Sequence, residues 1–183
     1  MRIVVGVTGS SGAVYALDFL KKCPGDKFLV MSKWGKVLLK DELQLTDRDL
    51  APYIKRQFAN DDLAAPIASG SNKIDAYVII PCSTSTLANI ASGIGSNLIT
   101  RAAQVALKER TKMVLCIRET PLSTQSLEQM ARLSSYGVTI MPISPPNYFV
   151  PITAEEYIGA FTEKVLGVLG LSQAKGWRAE ELE

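Results

Sequence analysis

Five short runs of almost unbroken apolar residues recur along this chain, and the segments between them have helical spacing. "RIVVGV" (2–7), "KFLVMS" (27–32), "DAYVIIPCS" (75–83), "KMVLCIRET" (112–120) and "VTIMPIS" (138–144) leave little room for a solvent face. A strand that is apolar on both sides belongs in a parallel sheet with helices above and below it. The intervening segments agree. Residues 11–22, 34–43, 86–110, 123–137 and 153–170 read as helical, the fourth with Leu127, Met130 and Leu133 in register and Gly137 as its stop. Residues 86–110 divide into two helices at Gly93–Gly95, and Thr153 is the expected N-cap of the last helix. "TDRDLAPYIKRQF" (46–58) reads as one more helical stretch, "NDDLAAPIASGSN" (60–72) as a long loop and "PPNYFVP" (145–151) as a rigid one. The expected architecture is α/β: a three-layer, doubly wound parallel sheet, Rossmann-like or flavodoxin-like.

Composition narrows the chemistry. The 183 residues include no histidine, which removes the commonest metal ligand and the usual acid/base group of neutral pH. Cys23, Cys82 and Cys116 show no metal-ligand spacing, so no metal site is expected. Proton transfer must then fall to carboxylates, lysine, tyrosine or a cofactor. A net charge of +2 with dispersed Lys and Arg speaks against a nucleic-acid surface and for a small-molecule partner. No apolar run reaches membrane-spanning length, and Met1 leads straight into a core strand; a cytoplasmic protein without a membrane segment is expected.

Doubly wound sheets bind ligands at the carboxyl ends of their strands. Here those ends read "TGSSG" (8–12), "SKW" (32–34), "PCSTST" (81–86), "RET" (118–120) and "SPPNY" (144–148), a concentration of hydroxyls on one rim. Gly9 and Gly12 permit a tight turn, Ser10 and Ser11 add donors, and the helix that follows aims its N–H groups at the turn. Taken alone, the stretch fits either a simple connection or a phosphate grip. Ser83, Thr84, Ser85 and Thr86 exceed the one hydroxyl that helix capping needs. Arg101 and Lys108 share one helical face, as a solvated basic surface would. Glu119 closes an apolar strand, where a carboxylate serves as a salt-bridge partner or as a proton carrier.

Taken together, "GVTGSSGA", "PCSTSTLANIASGIGSNLITRAAQVALKER", "RETPLS" and "PPNYFVP" resemble the UbiX-type flavin prenyltransferases, in order, from residue 3 to about 170. The resemblance implies a single FMN-binding flavoprotein domain over 1–170, with 171–183 as a C-terminal tail. It also implies a trimer-based homo-oligomer, commonly a dodecamer, with FMN held between subunits. The implied reaction joins a dimethylallyl group, from dimethylallyl phosphate, to N5 and C6 of reduced FMN. The product would be used by a UbiD-type decarboxylase. Position by position, Gly9, Ser11 and Ser32 match flavin-contacting residues, with Ser10 beside them. Ser83, Thr84, Ser85 and Thr86 match a second FMN loop, and Arg101 an FMN-contacting arginine from an adjoining subunit. Lys108, Arg118 and Tyr148 match residues on the donor phosphate, Glu119 the catalytic glutamate, and Glu42 a second pocket carboxylate.

Three positions depart from that pattern. Leu63 stands in place of a pocket tryptophan, Lys164 in place of a phosphate-binding arginine, and Asn147 in place of an aromatic residue. All three fall on the donor side, which keeps open a non-prenylating FMN-binding flavoprotein for storage, delivery or redox work. The cysteine decarboxylases of similar fold carry an active-site histidine, which this chain lacks.

Overall fold

The computed structural model describes residues 1–146, 153–172, 178 and 181. Among the described residues, six parallel strands form one sheet: β1 (Arg2–Val7), β2 (Asp26–Met31), β3 (Arg56–Phe58), β4 (Ala76–Cys82), β5 (Lys112–Ile117) and β6 (Thr139–Pro142), in the order β3-β2-β1-β4-β5-β6. This is the Rossmann arrangement within the expected class. The chain winds outward from β1 in one direction, then returns to β4 and winds in the other. The β1–β4 boundary is therefore the topological switch point, where the class binds its ligands.

The helices are α1 (Ala13–Lys22), α2 (Lys33–Leu43), α3 (Thr84–Ala91), α4 (Leu98–Lys108), α5 (Thr124–Ser135) and α6 (Ala154–Leu169). Side chains alternate across the sheet and split the core in two. Ile3, Val5, Leu29, Val78 and Val114 join Phe19 of α1 and Phe161 of α6. Val4, Val30, Tyr77, Ile79 and Leu115 join Leu87 of α3, Ile99 of α4 and Leu133 of α5. Tyr77 satisfies its buried hydroxyl by donating to the Ile99 carbonyl at 2.7 Å. Both faces of the sheet are dry, which is why its strands read as apolar runs.

Local chemistry sets the helix ends. Ser32, Ser83, Ser123 and Thr153 cap α2, α3, α5 and α6 through their hydroxyl oxygens, and Asn97 caps α4 through its amide oxygen. Gly93, with φ +75°, breaks the segment between α3 and α4 as the sequence suggested. The first helix begins at Ala13 rather than at residue 11, because Gly12 takes a left-handed φ of 109°. The third begins at Thr84 rather than 86.

One expected helix is corrected. Residues 46–58 form a 3-10 turn at Asp47–Tyr53 and then the edge strand β3. The Thr46–Asp49 capping box starts a helical turn, but Pro52 has no N–H with which to propagate it. Beyond it Phe58 is buried and packs 6.3 Å from Phe28. Asn147, Tyr148 and most of 171–183 lie outside the described residues. Among the described residues, no helix is long and apolar enough to cross a membrane.

Candidate active site

The two hydroxyl-rich turns meet at the switch point. Thr8, at the end of β1, is 2% exposed, and its hydroxyl donates to the Pro81 carbonyl at 2.9 Å. The same oxygen accepts the Ser83 N–H at 2.8 Å. One buried threonine therefore fixes "TGSSG" and "PCSTST" against each other. Ser10 donates to the Arg118 carbonyl, tying the first turn to the loop after β5. Gly9 lies against α2: a Cβ there would come within 2.5 Å of the Trp34 Cβ. Glycine is required by that close approach, not by its dihedral angles.

These contacts separate framework hydroxyls from available ones. Ser32 and Ser83 accept helix N–H groups from Gly35 at 3.0 Å and Thr86 at 3.3 Å, and the Ser83 and Thr86 hydroxyls lie 3.1 Å apart. Ser11, Thr84 and Ser85 have hydroxyls without a partner among the described residues. The rim thus offers hydroxyl donors around glycine-lined backbone, a donor set suited to the phosphate, ribityl and ring heteroatoms of FMN.

The charged residues are divided between two ends of the molecule. Arg118 and Glu119 follow β5 on the rim and are exposed. The Arg118 N–H donates to Cys82 at 3.4 Å, and a Glu119 carboxylate oxygen accepts the Thr120 N–H at 3.0 Å. Glu42 reaches the start of α1, accepting the Gly12 and Ala13 N–H groups. Lys108 sits elsewhere. It ends α4, pairs with Glu109, and its Nζ lies 2.7 Å from where a Gly70 Cβ would be. The six residues of β5 separate that end from Arg118 by roughly 20 Å. A cavity of about 380 Å³ opens between Gly70, Ser71 and the end of α4, at the sheet edge opposite the rim. Arg101 is exposed near the start of α4, roughly 10 Å from Lys108 along the helix. Lys164 is exposed and roughly 15 Å along α6 from its first residue. One chain therefore does not gather Lys108 and Arg118, and Tyr148 lies outside the described residues.

Cys82 is fully buried, and burial pushes its thiol far up, as it does Cys116. Neither supplies a thiolate. Four side chains beside the rim were not singled out from the sequence. Thr8 is the lacing residue. Trp34 is 64% exposed with its ring near Lys33. Tyr15 packs edge-on to Phe161 at 5.5 Å, and its hydroxyl pKa is raised by burial and by Tyr157, with Arg118 opposing. Tyr157 is the fourth, its hydroxyl directed to the Pro145 carbonyl at 3.5 Å. The signal that could have found Tyr15 is a polar-tipped aromatic in the first turn of the expected helix. Tyr157 carried no local signal. Among the described residues, no three His, Cys, Asp or Glu side chains cluster as metal ligands.

A family model described as Flavoprotein matches residues 1–165. The chain is 38% identical over 181 residues to "Flavin prenyltransferase UbiX" of Methanocaldococcus jannaschii, covering 97% of this chain and 98% of that protein. The chain belongs to the Flavoprotein family, with the UbiX flavin prenyltransferases. Two solved flavoproteins superimpose closely. AnUbiX in complex with FMN and dimethylallyl pyrophosphate gives a TM-score of 0.92 at 34% identity, over 97% of this chain and 98% of that one. The dodecameric FMN-dependent UbiX-like decarboxylase of Escherichia coli O157:H7 gives 0.93 at 39%, over 97% and 100%.

Proposed function

We propose that this flavoprotein transfers a dimethylallyl group from dimethylallyl phosphate to N5 and C6 of reduced FMN, releasing phosphate and giving prenylated FMN. The observation that carries the reading is nearly full-length agreement with flavin prenyltransferases, one of them solved with FMN and a dimethylallyl donor together. The residues present fit FMN. Gly9 lets its turn lie close against Trp34, Ser11, Thr84 and Ser85 have free hydroxyls, and Thr8 holds the two turns at fixed separation. When bound, reduced FMN supplies the electron-rich ring atoms that take the C5 unit.

The protein's own work is to bind, orient and shield. Arg118 neutralises the departing phosphate, and Glu119 beside it moves the proton there. Tyr148 belongs to the same phosphate grip by family resemblance. The separation of Lys108 from Arg118 makes the site composite. A neighbouring subunit of a trimer-based assembly brings Lys108 and Arg101 to it, and the dodecameric state of the Escherichia coli relative supports that reading. Leu63, 48% exposed, then offers an apolar wall to the prenyl group in place of an aromatic one, and Lys164 keeps a positive charge on the donor side without a guanidinium fork. The recipient of the product is a UbiD-type decarboxylase, and the setting is the cytoplasm. Anaerobic incubation of reduced FMN, dimethylallyl phosphate and the protein, followed by mass analysis of the released flavin, tests the reading.

A further inference from the structure

The start of α1 presents an anion site that the chain fills itself. Its N-cap is Gly12, which has no side chain to cap with, and its first turn contains no acidic residue. The two foremost N–H groups would stand unsatisfied, at the end of the helix that attracts negative charge. Glu42, 30 residues further on, takes both. Its Oε2 accepts the Gly12 N–H at 3.0 Å and the Ala13 N–H at 2.7 Å, and its Oε1 lies 3.2 Å from the Gly12 nitrogen.

Glu42 is also the tenth residue of α2, and the other end of α2 carries Trp34 against Gly9. The turn from Gly9 to Ala13 is thus held by one helix at both ends, through a steric contact at its start and a charge-assisted pair of hydrogen bonds at its finish. Ser10 fixes the middle through the Arg118 carbonyl.

We propose that Glu42 is a positioning residue: its carboxylate is the built-in anion of α1, setting the Gly9–Ala13 turn in the shape that receives FMN and closing that helix end to outside anions. This rests on the FMN reading above and adds to it. The α1 terminus, which would otherwise compete for the phosphates of flavin and donor, is already neutralised, so those phosphates are directed to Thr84, Ser85 and the arginines. Glu42 works through backbone N–H groups and needs no proton of its own.

The assembled apoprotein tests this in three forms: native, Glu42→Gln and Glu42→Ala. FMN affinity is read by flavin fluorescence, and thermal unfolding is followed in acetate against chloride at equal ionic strength. Glu42→Ala is expected to bind FMN about tenfold more weakly, the size of a lost helix cap, and Glu42→Gln to lose less because its amide oxygen still accepts. Acetate, entering the vacated position, is expected to restore the alanine variant's affinity and raise its unfolding temperature, with no such effect on the native protein. Alanine-variant affinity within twofold of native would overturn the proposal, as would acetate acting no better than chloride. A glutamine variant that binds FMN like the native protein yet no longer transfers the prenyl group would make Glu42 a catalytic group and overturn it too. If the alanine variant does not fold, the glutamine variant decides by its affinity alone. If the native protein fails to bind FMN, the cofactor reading falls, and the acetate effect on unfolding still decides the role of Glu42.

Discussion

Ionisable side chains away from the rim make the stability of this fold depend on pH. Asp47 accepts from Lys36 at 2.6 Å and from Gln57 at 2.9 Å, and the Lys36 hydrogen bond holds its carboxyl below the usual range. Asp26 and Asp49 shift the same way, through Lys55 and through the Thr46 backbone N–H. A depressed carboxyl contributes stability that is complete above its unfolded value of 3.8 and lost as pH falls below it. The thiols run in the opposite direction. Burial pushes Cys23 up to about 11 and Cys82 and Cys116 further, so their contribution is complete below the ordinary thiol value of 9.0 and lost as pH climbs past it. Urea midpoints at fixed protein concentration are therefore expected to be level from about pH 5 to 8 and to drop on both sides. A monotonic profile would show that other groups control stability. With no histidine in the chain, a step near pH 6 to 7 is not expected from side-chain titration.

At the scale of elements, the rim depends on one strand-end hydroxyl that bridges two turns. Thr8→Val keeps the shape of the side chain and removes its oxygen, leaving the Ser83 N–H unpaired and the Pro81 carbonyl with only the Thr8 N–H at 3.2 Å. The expected loss is about 1–3 kcal/mol in chemical denaturation, with weaker FMN binding because the turns lose their mutual spacing. No measurable change would mean that water takes over the bridge. This contact also shows what a sequence can carry. The five longer strands, the Gly93 break and the Thr153 cap were legible because each is written in a local pattern. The three-residue β3 was not, since so short a strand leaves no period and Arg56 is exposed on the sheet edge. The glycines and hydroxyls of the two turns were legible as a ligand rim. What Thr8 and Ser10 bond to was not, because their partners lie 73 and 108 residues away. The same distance effect concealed the partners of Glu42, which the family resemblance named as a pocket carboxylate but no local pattern tied to the start of α1.

For the whole molecule, the decisive feature is that the matched donor-side cations fall on different ends of one chain. Arg118 and Glu119 lie on the rim, and Lys108 lies against Gly70 at the opposite edge. On the proposed reading, a site that needs both is shared between subunits. Co-expression of Lys108→Ala with Glu119→Gln tests this, because each variant alone lacks one part of every site. Mixed assemblies are expected to regain transfer at interfaces where a native lysine meets a native glutamate. Mixtures as inactive as the separate variants would place both residues in one chain's site and overturn the shared arrangement. The measurement to make first is the mass of flavin released after anaerobic incubation of reduced FMN with the native protein and dimethylallyl phosphate. A gain of one C5 unit is expected. Unchanged FMN, with binding confirmed and dimethylallyl pyrophosphate also tried, would overturn the prenyltransferase function.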